Sequence, residues 1–204
     1  SKRFNVANRA LVRDQVRSEL GIGRDTTVAF YAGDLTKAHV ELKELSRAVP
    51  DVLILIATAS TSYHWRAPNV RILPLTHAIE RYYAAADAFV FPTVNDPFGM
   101  VALEAMASGL PVFSSDRAGV AELITAGRDG FVEPLENWVE ATKTALHDPS
   151  LLVQVGNEAE KTAQRHDWGS VASKVEQIYF EVAAESEPAS VNAFSTDEHR
   201  YQQS

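Results

Sequence analysis

The chain has no cysteine among its 204 residues. Disulfides, thiolate zinc sites and cysteine nucleophiles are therefore excluded. It also lacks an apolar run of the roughly 18–20 residues that cross a bilayer, and its start has no signal-peptide core. Positive charge is scarce: 19 Lys and Arg against 27 Asp and Glu leave a net charge of −8. That balance argues against unspecific binding to nucleic acid or to an anionic membrane. Histidine is isolated: His39, His64 and His77 have no metal-ligand spacing to one another or to a carboxylate pair, so no metal site is expected. Ser114 and Ser115 do not form a nucleophile elbow.

What is present suits a soluble globular domain. A hydrophobic share of 46% in this length supports one sizeable core, or at most two small ones. A cytoplasmic location is the expectation. Continuous apolar runs of the buried-strand kind occur at 27–32 (TVAFYA), 52–57 (VLILIA) and 88–91 (AFVF), with shorter ones at 70–73, 112–114 and 130–132. Helical patterns lie between and after them, at 8–20, 37–49, 77–86, 97–108, 120–126, 135–146, 150–164 and 169–184. The alternation predicts an α/β fold: a Rossmann-like, doubly wound parallel sheet of about six strands in one domain over 1–184. Residues 185–204 are rich in Ser, Glu and Gln without apolar period, and read as a disordered tail.

Chemistry concentrates in the segment 91–122, FPTVNDPFGMVALEAMASGLPVFSSDRAGVAE. Asp96 followed by Pro97 reads as the N-cap and first residue of a helix. Gly99 then falls in the first turn, where glycine costs roughly 1 kcal/mol against alanine, as if something needs access to the backbone. The N–H groups of Phe98, Gly99 and Met100 would point out of a helix end that is positive by its dipole, an anion site. Glu104 lies one turn beyond Met100 and leans back toward that end. A carboxylate there offers paired acceptors to a vicinal diol such as ribose.

The run DPFGMVALEAMASGLPV, with Gly119 and Glu122 behind it, resembles the Glu-x7-Glu signature of the family 4 glycosyltransferases. The likeness covers about 27–184, including Asn69-Val70-Arg71, the stretch from Tyr83 to Ala88, and a closing helix with Trp168 and Tyr179. It implies the C-terminal, donor-binding half of a GT-B architecture, in which two Rossmann-like domains face each other across a cleft. The function implied is retaining, metal-independent transfer of a hexosyl unit from a nucleoside-diphosphate sugar to an acceptor hydroxyl. The acceptor, a carbohydrate or a lipid-linked one, would bind an N-terminal domain missing from this chain. Peripheral membrane contact would come through that domain. No cofactor is implied.

Site roles follow by matching position. Glu104 would hold the ribose hydroxyls, and Asp96 would contact the transferred sugar near its anomeric carbon. The backbone of Phe98, Gly99, Met100 and Val101 would hold the distal phosphate and sugar. Backbone from Leu73 to Leu75 would touch the base, Gly33 would let the diphosphate approach, and Lys37 would stabilise it as it leaves.

Two departures stand out. Asp96 replaces the usual Glu and is one methylene shorter. Asp34 stands where the family has an Arg, and Lys37 comes earlier than the usual Lys. An Asp facing a diphosphate would repel it. Either the loop turns Asp34 away and Lys37 acts alone, or charge comes from elsewhere, with Arg117 a candidate. The alternative reading is a non-catalytic nucleotide- or partner-binding module of the same fold. A nucleotide-sugar epimerase is a third. Tyr82, Tyr83, Trp168 and Tyr179 read as packing residues rather than base-stacking platforms.

Overall fold

A computed structural model describes residues 3–59 and 65–185. His64 and the predicted tail beyond residue 185 lie outside the described residues. Six strands form one sheet in the order β3-β2-β1-β4-β5-β6. The strands are β1 (Val28–Ala32), β2 (Leu53–Thr58), β3 (Val70–Pro74), β4 (Ala88–Phe91), β5 (Val112–Ser115) and β6 (Phe131–Glu133). Every pairing is parallel. This is the doubly wound arrangement the alternating pattern predicts. Its order reverses between β1 and β4, and the crevice beyond their carboxyl ends is where such sheets take ligands.

Seven of the eight expected helical segments are α-helices, with ends shifted by up to three residues. They are α1 (Val6–Glu19), α2 (His39–Ala48), α3 (Glu80–Ala85), α4 (Met100–Ala107), α5 (Leu135–Leu146), α6 (Pro149–Gln164) and α7 (Trp168–Glu185). The right-handed rule for parallel crossovers, applied to this strand order, puts α2 on one face of the sheet and α3 and α4 on the other. Accordingly α2 packs with α5, α4 with α6, and α1 with α3. The chain divides after Asp167 into two compact units, the sheet unit and a second that begins with α7. Among the described residues no helix is long and apolar enough to cross a membrane.

The apolar strands are buried because both faces are covered: all residues of β1, β4 and β5 are inaccessible. Phe30 of β1 meets Phe89 of β4 at 5.7 Å and Tyr83 of α3 at 5.1 Å, edge to face with the latter. This aromatic cluster anchors α3 beneath the switch point. Two stretches matched by family resemblance have structural work. Asp87, at the foot of β4, accepts from the Val28 amide at 2.9 Å and pairs with Arg13 and Arg17 of α1. Asn69, entering β3, donates to the carbonyls of Ser46, Val49 and Val52. Buried polar groups need such partners.

Candidate functional site at the carboxyl edge of the sheet

Three loops converge beyond β1, β4 and β5. After β1 comes Gly33, whose amide donates to the Ala57 carbonyl at 3.1 Å, then a 3₁₀ turn at Leu35–Lys37. Asp34 caps that turn: its carboxylate accepts from the Thr36 amide at 2.9 Å. That bond holds the Asp34 carboxyl below the usual range. The Asp34 carbonyl accepts from the Tyr31 hydroxyl at 2.8 Å. Burial pushes the Tyr31 phenol far up, and the Asp34 and Asp96 carboxylates push it further. The field of both acids thus reaches one hydroxyl at the end of β1. Capping fixes the Asp34 carboxylate on its own turn.

The loop after β4 is tied to its neighbours on both sides. The Val94 amide donates to the Lys37 carbonyl at 3.0 Å. Asp96 bridges to Ala118 as a single parallel pair, with the Gly119 amide donating to the Asp96 carbonyl at 3.0 Å. The Ser115 hydroxyl donates to the Thr93 carbonyl at 2.6 Å. Gly119 permits this approach: a Cβ there would lie 2.1 Å from the Pro97 carbonyl oxygen. The expected helix at 120–126 is instead a short 3₁₀ segment, Gly119–Leu123.

The helix expected at 97–108 begins later, at Met100. Asp96 and Pro97 are therefore not its N-cap and first residue. Asp96 instead makes an Asx turn, its carboxylate accepting from the Phe98 amide at 3.1 Å. The Phe98 N–H is thus already engaged and does not belong to the free helix end. Gly99 is the N-cap, in the left-handed region at φ 86. A Cβ there would meet Phe91 Cε1 at 3.0 Å and Val120 Cγ1 at 3.3 Å. The first intrahelical bond to Gly99 comes from Ala102, at 2.9 Å. That leaves the Met100 and Val101 amides at the positive end of α4.

Glu104 is half-buried, one turn into α4. Its Oε2 accepts from the Tyr83 hydroxyl at 3.2 Å. Burial raises its carboxyl above the usual range, the Tyr83 bond and Arg3 oppose that, and Glu80 adds to it. Read as a packing residue, Tyr83 is indeed fully buried; its hydroxyl on Glu104 has no signal in residue spacing. Leu73 is buried on β3, an edge strand, so half of that strand's backbone groups face away from its partner. Phe98 and Met100 are exposed, as are Leu75 and Val94 at the same edge, an apolar rim around polar groups of the kind that marks interaction sites.

Among the described residues no group of three or more His, Cys, Asp or Glu is placed to hold a metal ion. A cleft of about 370 Å³ lies at the opposite edge, lined by Arg9, Thr27, Asp87 and Asn157 among others. It is remote from the convergent loops, and its Asp87 is already paired.

Residues 27–148 match the family model described as glycosyl transferases group 1. The chain is 31% identical over 192 residues to a D-inositol 3-phosphate glycosyltransferase of Corynebacterium aurimucosum, covering 81% of this chain and 46% of the relative. It spans about half the length of the curated relatives it matches along most of its own length. Its fold is similar to HepE of Anabaena, solved in complex with UDP and glucose (TM-score 0.69, 21% identity, 84% of this chain and 51% of that one). It is also similar to the C-terminal domain of a group 1 glycosyl transferase family protein from Francisella tularensis (TM-score 0.62, 19% identity, 74% of this chain and 91% of that one). With a six-stranded Rossmann-like sheet, a left-handed glycine opening α4 and a carboxylate one turn further in, this chain belongs to the group 1 glycosyltransferases of GT-B fold.

Proposed function

We propose that this chain is the donor-binding, C-terminal half of a retaining glycosyltransferase that takes a hexosyl unit from a nucleoside-diphosphate sugar. The observation that carries the reading is α4 at the switch point. Its Met100 and Val101 amides have no intrahelical acceptor, and Glu104 stands one turn inside. The diphosphate sits at that positive helix end, and Glu104 receives the ribose diol. Asp96 takes hydroxyls of the transferred sugar through the carboxylate oxygen that is not capping Phe98. Lys37 supplies positive charge as the diphosphate departs. The similarity to a C-terminal domain and to a UDP- and glucose-bound protein supports this placement.

In the reaction the anomeric carbon–oxygen bond to the diphosphate breaks. A bond to the acceptor oxygen forms on the same face, and a phosphate oxygen takes the acceptor proton. Lys37 and the helix-end amides stabilise the negative charge on the leaving group, as preorganised donors do. The acceptor site belongs to an N-terminal domain, so this chain alone transfers little. A second reading, a non-catalytic nucleotide-binding module, is favoured by Asp34, an acid where the family has a cation, whose field reaches the same Tyr31 hydroxyl as that of Asp96.

Titration of UDP, GDP and ADP tests the reading. One of them is expected to bind saturably, and Glu104→Ala to abolish that binding in a folded chain. A folded chain that binds none of the three overturns the donor-site assignment. If binding holds, adding the N-terminal half with donor and acceptor separates enzyme from module, since only the enzyme forms product. Robust transfer by this chain alone would refute the need for a second domain.

A further inference from the structure

Tyr83 has one proton and two acceptors. Its hydroxyl lies 2.9 Å from the Val101 carbonyl and 3.2 Å from Glu104 Oε2. The ring is held by Phe4 and Phe30 edge to face, at 5.7 and 5.1 Å, and by Phe89 at 5.7 Å. Packing alone would be served equally by phenylalanine. The one proton is shared between these two acceptors, although the Val101 carbonyl alone would satisfy a buried hydroxyl. The second contact, with a half-buried carboxylate, is what packing leaves unexplained.

The groups facing Glu104 are few. From α3 come Tyr83 and Glu80, and from the segment before α1 comes Arg3. Arg3 and Glu80 pair with each other at 2.6 Å, so their fields oppose. No other charged residue lies on α4, whose sequence is MVALEAMA. Among the described residues Tyr83 is the one hydrogen-bond donor to the Glu104 side chain.

We propose that Tyr83 is a positioning residue: its hydroxyl holds one oxygen of Glu104 so that the other is presented to the ribose of a bound nucleotide. This rests on the reading of Glu104 as the ribose-holding carboxylate. Donation to a carboxylate favours its ionised form, and so offsets the burial that disfavours it. Removing the donor therefore raises the carboxyl pKa. Binding that needs the carboxylate then fails at a higher pH as the solution is acidified.

The test compares Tyr83→Phe, Glu104→Gln and the double variant, titrated with UDP, GDP and ADP by calorimetry between about pH 4 and 8. For whichever diphosphate binds, Tyr83→Phe is expected to weaken affinity roughly tenfold at neutral pH, the size of a hydrogen bond to a charged group. It should also move the acid limb of binding upward by about half a unit or more. In the Glu104→Gln background the same change should alter affinity by less than about twofold, because coupled residues are not additive.

If no diphosphate binds, or Glu104→Gln binds like the parent, the donor-site reading falls and this proposal with it. If Glu104→Gln weakens binding but Tyr83→Phe leaves the acid limb in place, or costs the same in both backgrounds, only the positioning role is overturned. Should Tyr83→Phe not fold, Tyr83→3-fluorotyrosine keeps the ring and donates more strongly. The acid limb should then move downward, and an unmoved limb overturns the proposal.

Discussion

Replacing Gly99 by alanine probes the device that opens the site. Two costs add at this position. Its φ of 86 puts an L-residue in the left-handed region, worth roughly 1–2 kcal/mol. A Cβ would also stand 3.0 Å from Phe91 and 3.3 Å from Val120. Both neighbours are buried, so relief requires shifting packed side chains, at roughly 1–3 kcal/mol. The sum is about 2–5 kcal/mol. Gly127 is the internal control: φ is 77 but nothing lies within 4 Å of an added Cβ, so Gly127→Ala should lose only about 1–2 kcal/mol. Urea unfolding reads the difference. With a slope of roughly 2 kcal/mol/M, Gly99→Ala should lower the midpoint by about 1–2.5 M and Gly127→Ala by at most about 1 M. Nucleotide binding should weaken in Gly99→Ala at urea-free conditions, because the Met100 and Val101 amides are displaced. Equal midpoints for the two variants would refute the crowding around α4.

Asp87→Ala should destabilise the chain by about 3–5 kcal/mol in the same assay, since it leaves the Arg17 charge, 3% exposed, with backbone carbonyls alone and takes the side-chain acceptor from the Val28 amide; a loss under about 1 kcal/mol would show the knot to be replaceable. His147 should titrate above the usual imidazole range by NMR, raised first by its bond to the Lys143 carbonyl and then by Asp51. The folded value exceeds the unfolded one, so the favourable pairing is complete below the ordinary imidazole range and is lost as pH rises through the folded value. Asp51→Asn should lower the midpoint without abolishing the elevation; an unchanged midpoint counts against the ion pair. Lys37→Ala should weaken diphosphate binding roughly tenfold while leaving the free nucleoside unaffected, as a charge-assisted contact to phosphate requires. Equal losses for both ligands would place Lys37 outside the phosphate site.

The sheet was legible because its strands are continuous apolar runs. VLILIA and AFVF have no polar face to expose, and only a sheet covered on both sides suits them. The opening of α4 was misplaced by three residues for a physical reason. Asp-Pro serves helix caps and Asx turns with the same atoms, and only the three-dimensional path shows Asp96 bonding Phe98 while Gly99 takes the left-handed bend. The segment after β5 reads as helix by composition, but the bridge to Asp96 and the contact of Gly119 with Pro97 confine it to a 3₁₀ turn. Periodicity marks Tyr83 as an inward-facing ring. It carries no information about which acceptor the phenol reaches, because that depends on how α3 and α4 lie side by side.

The hydrogen bonds from Val94 to Lys37, Gly119 to Asp96 and Ser115 to Thr93 join segments that are distant along the chain into one shelf. A ligand settling there orders little that is not already ordered, so less of its contact energy is lost to immobilising loops. The same knitting limits engineering. A loop transplanted singly from a relative arrives without the carbonyls and amides its neighbours expect, so altering what this edge binds calls for exchanging the three loops as a set.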